Sequence, residues 1–476
     1  MLRTESLTYL ILFSLFMSAC ATDPTPTQPE IVEQALPETT VIPPKFKTVV
    51  PEKHDTPSAE SRWAGVISGD VIPGWLSTFN DDKLEALVIE ALKNNRSLAA
   101  AAANLEVAEN LAKQAGAQLA PAVNIGAGGQ STVRSGSTSN LGGASLNVTW
   151  ELDIWGRLGA AASAAEESYK ASEADFEFGR QSLVAQMAKS WFLATEIYLQ
   201  KKLAEESVLI HRQMLDIVNT KLEVGAAQPQ DVFLAKADLA GAEERQRQAQ
   251  GAFEQSVRSI EVILGRYPAA ELEVSREFTE ILVPIPVGIP SELLERRPDI
   301  IAAERRVAAA FQRVKSAKAA KLPRIALTAS GGRSSSELTD LIGSKGFFTL
   351  GSNLVAPLDV GGSLEAQVQI ETAQQKAALA DYGQFALVAF SEVETGISNE
   401  GLLGQRKELL AIAVKQNRNA LQVAKTQYEI GDVDFLSVLQ MQTRLLGSRI
   451  EFIRIKNAKL AQRVDLHLAL GGGFEK

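Results

Sequence analysis

Reactive side chains are few in this 476-residue chain, which has one cysteine, Cys20, and three histidines, His54, His211 and His467. One thiol cannot form an intrachain disulfide and gives no cysteine spacing for a metal. A lone histidine on a helix more often packs or faces solvent than binds a ligand. The glycine-rich stretches GAGGQS and SGGRSSS lack the Gly-Lys-Ser/Thr ending of a phosphate loop. The sequence therefore predicts no metal, no cofactor and no enzymatic activity.

Cys20 follows a short apolar run near the N-terminus. Residues 7–17 are too few to span a bilayer, which needs about 20 residues, but they suit a secretory signal. Small residues precede Cys20 in Met17-Ser18-Ala19, the pattern that lipoprotein signal peptidase cleaves. We therefore predict a lipoprotein signal peptide at 1–19, with a diacylglyceryl and an N-acyl lipid on Cys20 that together anchor the chain firmly. A buried or incidental cysteine is the alternative.

The segment after Cys20 is rich in proline. Nine of the 18 prolines lie at or before Pro73. We expect residues 20–72 to be a lipid-anchored leader, extended and largely without a core of its own.

The charge and the hydropathy of the chain limit its partners. The net charge is −9 and no basic patch is present, which argues against a nucleic-acid partner. After the signal, no uninterrupted apolar run reaches the ~18 residues of a transmembrane helix. Any further membrane crossing must therefore use strands.

The remaining sequence repeats itself. A separation of 206 residues relates Asp153 to Asp359, Gly225 to Gly431, and Gly265 to Gly471 within similar stretches. These landmarks occur in the same order in both halves, which indicates a tandem duplication. We predict a first repeat at 73–267, a linker at 268–290 and a second repeat at 291–476.

Each half contains one predicted β-hairpin, whose second strand alternates apolar and polar residues. The apolar positions are Leu146, Val148, Trp150, Leu152 and Ile154 in the first half, and Phe348, Leu350, Leu354, Leu358 and Val360 in the second. The preceding strands are predicted at 122–131 and 324–333. This alternation is typical of outer-membrane strands with lipid on one side and a wet lumen on the other. A half-buried hairpin of a soluble domain is the alternative.

Two very long helices are predicted at 157–224 and 363–430, where strong helix formers dominate and proline is absent. At 1.5 Å per residue each would be roughly 100 Å long. Apolar residues recur at alternating spacings of three and four, as in coiled coils. Each helix is predicted to turn back at a glycine, Gly225 or Gly431, into a return helix of about 35 residues.

Four strands cannot close a barrel, and open sheet edges are not tolerated in lipid. Three copies would supply twelve strands, an even number within the usual range. The predicted fold is therefore a mixed α/β membrane protein. It is a trimeric 12-stranded outer-membrane β-barrel, with four strands per protomer, continued by a long α-helical periplasmic barrel.

Four stretches resemble the TolC-like outer membrane efflux proteins, and most closely the lipoprotein branch that serves resistance-nodulation-division pumps. They are GWLSTFNDDKLEALVIEALKNN, NVTWELDIWGRL, IPSELLERRPDIIAAERRV and LALGGGF. In the third stretch, Ser291 is expected to cap a short helix and Pro298 to open the next. The resemblance implies a homotrimeric channel that docks on a periplasmic adaptor and an inner-membrane efflux pump and releases drugs, metals or other solutes. Ala21, rather than Asp, follows Cys20, which implies the outer membrane.

The resemblance also implies that the turns between long and return helices form the periplasmic tip, where the pore narrows. Asp231 matches the tip aspartate of the first repeat. Gln440 occupies a second-repeat position that often holds a carboxylate, so Asp432 or Asp434 would supply the charge. The predicted tip residues are Gly225, Asp231, Gly431, Asp432, Asp434 and Gln440. A solvated helix cap is the alternative role for each aspartate, and cation selectivity through Asp231, Asp434 or both is our hypothesis.

Two other functions fit parts of the sequence. One is the outer membrane channel of a type I protein secretion system, which keeps the fold and changes the client. The other is a periplasmic structural lipoprotein without a channel, which would become water-soluble once its lipid is removed.

Overall fold

The computed structural model describes most of the chain after the signal segment. The described residues are 26–36, 40, 42–48, 66–67, 70–71, 74–135, 137–280, 283–336, 343 and 345–473. The signal peptide, Cys20 and His54 lie outside them.

The chain folds into nine α-helices and six strands within the described residues, together with a 3₁₀ turn at Trp75–Phe79. The helices are α1 (Gln28–Ala35), α2 (Asp82–Asn94), α3 (Arg96–Ala117), α4 (Arg157–Glu223), α5 (Pro229–Ile263), α6 (Pro290–Arg296), α7 (Pro298–Ala319), α8 (Ser363–Ile430) and α9 (Phe435–Ala469). The strands are β1 (Val66–Ile67), β2 (Ala122–Arg134), β3 (Ser137–Leu152), β4 (Ile285–Pro286), β5 (Arg324–Ser335) and β6 (Gly346–Val355). None of the described helices is both long enough and apolar enough to cross a membrane.

Two compact units divide the chain. The first contains Met1–Thr40, Ala103–Asp175 and Asp299–Phe385, and it holds the four strands β2, β3, β5 and β6. The second contains Val41–Ala102, Phe176–Pro298 and Ala386–Lys476, and it holds the turns between long and return helices.

The sheet of the first unit has four antiparallel strands in the order β2-β3-β5-β6. Both hairpins of the sequence prediction are confirmed, and they pair with each other through β3 and β5. Among the described residues, the outer strands β2 and β6 each have only one neighbouring strand. Their free edges therefore carry backbone groups that could pair with another chain.

The register separates apolar from polar residues across all four strands. Two adjacent rows on opposite faces are Val123–Val148–Ala329–Leu350 and Asn124–Asn147–Ser330–Thr349. On the first face Leu350 is 71% exposed and Phe348 is 72% exposed. The sheet thus presents a bare apolar surface on one side and a polar surface on the other.

The same aspartate cap follows each hairpin. Asp153 accepts the backbone N–H groups of Leu158 and Gly159 at 2.9 and 2.7 Å. The equivalent Asp359 accepts those of Leu364 and Glu365 at 3.0 and 2.9 Å. These bonds satisfy free donors at the starts of α4 and α8. The hydrogen bonds from the backbone of Glu365 and Leu364 also lower the pKa of the Asp359 carboxyl.

The long helices and their turns follow the sequence prediction. α4 has 67 residues and α8 has 68, and both return helices have 35. Gly225 and Gly431 have φ of +76° and +87°, and the residue after each glycine donates its N–H back into the helix. A left-handed glycine is the usual end of a helix because it has no Cβ to clash.

The core of the second unit lies where α2 packs against α4, α5 and α9. Trp191 is 1% exposed and donates its indole N–H to Asp81 Oδ2 at 2.8 Å. Phe79 and Phe192 pack beside it with ring centroids 5.2 Å apart. Asp81 also accepts the N–H of Leu84 and so caps α2.

The leader is not simply extended in its described parts, because it contains α1 and contacts the rest of the chain. Ile31 in α1 is 1% exposed and Val66 in β1 is 2% exposed. The carboxylate of Glu394 on α8 accepts the backbone N–H groups of Lys47 and Thr48 at 2.6 and 2.9 Å. Residues of the leader are therefore packed and hydrogen-bonded rather than simply spacing the body from its anchor.

Two local expectations are also corrected. Ser291 does not cap α6, because the N-cap is Ile289 and Pro290 takes the first helical position; Pro298 does open α7. The second strands end at Leu152 and Val355, so Ile154, Leu358 and Val360 lie beyond them. In the second repeat Pro357, which lacks an N–H, follows the strand end.

Candidate functional site

The two turns between long and return helices share one apolar cluster. Met214 and Val218 of α4 pack with Val232 of α5, and Tyr428 of α8 packs with Phe435 of α9 in the same cluster. The rings of Tyr428 and Phe435 have centroids 5.8 Å apart. This cluster holds both turns, and therefore all six predicted tip residues, at one end of the second unit's helices.

The carboxylates of the two turns serve as helix caps, but at different positions. Asp231 lies at the third residue of α5 and accepts the N–H of Gln228 at 3.0 Å. Asp434 directly precedes α9 and accepts the N–H and the hydroxyl of Ser437 at 2.8 and 2.5 Å. The bonds from Ser437 lower the pKa of the Asp434 carboxyl. By the 206-residue offset, Asp434 replaces Gln228, and Ser437 replaces Asp231.

A contact between Lys221 and Tyr428 ties α4 to α8 just before the turns. Lys221 Nζ donates to the Tyr428 carbonyl at 2.5 Å and lies 3.8 Å from the centroid of the Tyr428 ring. A cation over an aromatic face contributes about 0.5–1 kcal/mol when exposed and more when desolvated. Burial, with a smaller effect of Asp231, raises the pKa of the Tyr428 hydroxyl. The two long helices are thus fastened to each other at this end.

The other predicted residues lie on the surface of the same end. Gly225, Gly431, Asp432 and Gln440 are exposed, whereas Asp231 is half-buried. The cap role that we considered as the alternative is therefore real for Asp231 and Asp434.

The sequence analysis missed Lys221 and Tyr428, which are 207 residues apart. The repeat itself offered a signal, because Leu222 stands at the position equivalent to Tyr428. An aromatic residue in one repeat and an aliphatic one in the other marks a place where the two turns differ.

The histidines are isolated from other metal ligands among the described residues, and no three His, Cys, Asp or Glu side chains there form a metal site. His211 Nδ1 lies 2.7 Å from the Ser207 carbonyl in its own helix. His467 stacks on Trp75 with centroids 5.4 Å apart. Both have packing roles.

Known proteins resemble this chain over most of its length. The family model described as outer membrane efflux protein matches residues 87–266 and 289–472. The probable efflux pump outer membrane protein TtgC of Pseudomonas putida is 31% identical over 413 residues, which cover 84% of this chain and 85% of that protein. The cation efflux system protein CusC of Escherichia coli O6:H1 is 28% identical over 415 residues, which cover 85% of this chain and 89% of that protein. The solved structure of the outer-membrane channel OprN has a TM-score of 0.81 at 27% identity and covers 90% of this chain and 100% of its own.

Proposed function

The chain belongs to the outer membrane efflux protein family, and from this premise we propose that it is the exit channel of a tripartite efflux system. It lies in the outer membrane, extends into the periplasm and works as a homotrimer. A periplasmic adaptor and an inner-membrane pump deliver the solute. The channel conducts that solute passively and catalyses no reaction.

The observation that carries this function is the sheet of the first unit. In the part of the chain that the structure describes, its edges at β2 and β6 are unpaired, and one of its faces is apolar and bare. Free edges in hydrocarbon would leave backbone groups without hydrogen bonds at a cost of several kcal/mol each. Three copies joined from β6 to β2 give a closed cylinder of twelve strands with its apolar face toward lipid.

The solutes that we propose are small: drugs, metal ions or other compounds that the pump selects. TtgC is named for an efflux pump and CusC for cation efflux. A passive duct does not need a dedicated binding site for each solute. We therefore assign the choice of solute to the pump.

Gene deletion in the native host tests this function. We expect the deletion strain to become more susceptible to several drugs, metals or detergents, and a plasmid copy to restore tolerance. A channel for type I secretion would instead leave tolerance unchanged and abolish export of a protein. A structural lipoprotein without a channel would give a water-soluble monomer after removal of its lipid.

We also propose the lipid on Cys20. The Cys20→Ser substitution is expected to abolish incorporation of labelled palmitate. It should also leave the signal peptide uncleaved, because the lipoprotein signal peptidase requires the modified thiol. Intact-mass spectrometry and membrane fractionation measure both effects. Ala21→Ser, which leaves the thiol, is the control and should keep the full lipid mass. Equal palmitate labelling of Cys20→Ser and the native chain would contradict the proposal.

The turns at Gly225 and Gly431 are proposed as the periplasmic tip, with Asp231 and Asp434 facing the pore entrance. Asp231→Asn combined with Asp434→Asn is expected to move the cation-to-anion permeability ratio toward one, because carboxylates gathered about a threefold axis attract cations. Asparagine also caps helices well, so the turns should persist. Reversal potentials in planar bilayers measure the ratio.

The control for this experiment is Glu243→Gln. Glu243 is an exposed carboxylate of the return helix α5, paired with Arg212 at 2.7 Å. The Glu243→Gln substitution should leave the permeability ratio unchanged. If the double variant also leaves it unchanged, neither aspartate controls selectivity.

A further inference from the structure

A small, partly enclosed cavity of about 80 Å³ lies in the second unit where four parts of the chain meet. Val71 comes from the end of the leader, Trp75 from the start of the first repeat, Ile285 from the linker, and Arg463 and His467 from the end of the second repeat. Backbone bonds join the same parts: Gly74 donates to Gly473 at 2.8 Å, and Val287 donates to Ile67 at 3.2 Å. The cavity is therefore at the junction of the two repeats.

Arg463 is 3% exposed and only partly satisfied. Its terminal nitrogens donate to Glu400 Oε1 at 3.1 Å and to the Val283 carbonyl. Its Nε is buried and has no hydrogen-bond partner among the described residues. Since a guanidinium does not lose its proton, this N–H always requires an acceptor. A buried donor without one costs about 1–3 kcal/mol.

His467 supplies a second buried nitrogen without a hydrogen-bond partner in the described part of the chain. It is 5% exposed, and its Nε2 is buried without a partner among the described residues. Burial, together with the nearby Arg463, lowers the pKa of the imidazole to about 3, so the ring is neutral. A neutral imidazole carries one proton, and on Nε2 that proton would be a further hydrogen-bond donor.

A buried carboxylate, Glu400, lies beside the Arg463 guanidinium. Glu400 is fully buried and is the partner of both Arg463 at 3.1 Å and Lys459 at 3.8 Å. Burial raises the pKa of Glu400, which favours its neutral form. Burial also lowers the pKa of Lys459, so the Arg463 guanidinium is the buried group that keeps its charge. An uncompensated buried cation is costly unless a counter-ion accompanies it.

We propose that the cavity binds a small monovalent anion of the size of chloride, held by the Nε donor of Arg463 and the Nε2 donor of His467. An anion offers only acceptors, which suits two buried nitrogens without partners within the described ranges, and it adds a negative charge beside the Arg463 guanidinium. The volume exceeds the roughly 10–15 Å³ that one water-sized species requires. The ion would fasten the linker to α9 at the repeat junction.

Bromide substitution tests the site directly. The trimeric lipoprotein is purified in detergent, crystallised with sodium bromide and measured at the bromine absorption edge. We expect an anomalous peak between Arg463 and His467. Ordinary water density in the cavity without such a peak would overturn the proposal.

Thermal unfolding of the same trimer gives an independent measurement. At equal ionic strength, chloride should raise the melting temperature by a saturable shift of a few degrees relative to gluconate, which is too large for the cavity. His467→Phe removes one donor but keeps a ring to stack on Trp75, and Arg463→Lys keeps the charge but removes Nε. Both should lose most of the shift.

Arg454→Lys is the matched control, because Arg454 is an exposed arginine of the same helix that pairs with Glu451. It should retain the full chloride shift. If Arg463→Lys does not fold, the chloride shift of His467→Phe alone still tests the site. A shift as large in His467→Phe as in the native chain, or no shift in the native chain, would refute the site.

Discussion

Replacing Leu350 by arginine is expected to prevent assembly of the trimer and to abolish efflux. Leu350 lies on the edge strand β6 in the apolar row Val123–Val148–Ala329–Leu350, and it is 71% exposed. An arginine on the lipid face costs about 2–4 kcal/mol near the bilayer midplane. Every trimer would contain three such residues, so the total is on the order of 6–12 kcal/mol. Native mass spectrometry of detergent extracts measures the trimer fraction, and drug tolerance measures efflux.

Thr349→Arg is the matched control. It adds the same charge one residue earlier, in the polar row Asn124–Asn147–Ser330–Thr349 on the opposite face, which we assign to the barrel interior. We expect normal trimers and at most altered conductance. If Thr349→Arg blocked assembly and Leu350→Arg did not, the lipid-facing side of the sheet would be the opposite one.

Gly265→Ala is expected to lower the free energy of unfolding by roughly 2–5 kcal/mol. Gly265 ends α5 with φ +72°, a conformation that costs other residues about 1–2 kcal/mol. An added Cβ would also lie 2.7 Å from the backbone carbonyl oxygen of Asn94. Because that oxygen belongs to the backbone at the end of α2, the helix itself must shift, which adds about 1–3 kcal/mol. Denaturant unfolding followed by circular dichroism measures the loss.

Gly225→Ala separates the two contributions. Gly225 has nearly the same φ, +76°, but a Cβ there would meet nothing within 4 Å. It should lose only the conformational part, about 1–2 kcal/mol. Equal losses for the two variants would show that the contact with Asn94 relaxes without cost.

Regular elements were predictable because their signals are local. Period-2 alternation located both hairpins, and the glycines at 225 and 431 fixed the ends of α4 and α8 to within a residue. Strand ends were less predictable: the apolar alternation at Leu358 and Val360 continues past Val355, while the backbone leaves the sheet there. Alternation reports side-chain polarity, whereas a strand end depends on hydrogen bonding.

Contacts between distant residues were not predictable. The leader reads as polar and proline-rich, yet Glu394 accepts the N–H of Thr48, which is 346 residues away. Glycine at 383 lets α1 approach α8 so closely that a Cβ there would lie 2.4 Å from the Ala35 carbonyl oxygen. Neither residue type signals such a role on its own, since Glu and Gly are common on helices for other reasons.

The candidate site was predictable in position but not in chemistry. The repeat and the glycines located both turns, and the two aspartates that cap α5 and α9 were among the predicted residues. The Lys221–Tyr428 contact was missed because it joins the two repeats across 207 residues. No periodic pattern encodes a pairing of that kind.

The duplicated turns are not equivalent, because Asp231 follows the start of its helix and Asp434 precedes the start of its own. Threefold symmetry would place six turns in a ring, in which turns with the aspartate inside the helix start alternate with turns that have it before the helix start. A docking partner with six identical projections would therefore meet two kinds of binding position. Its projections would therefore make two alternating kinds of contact, and a partner with three projections would favour one kind of binding position over the other.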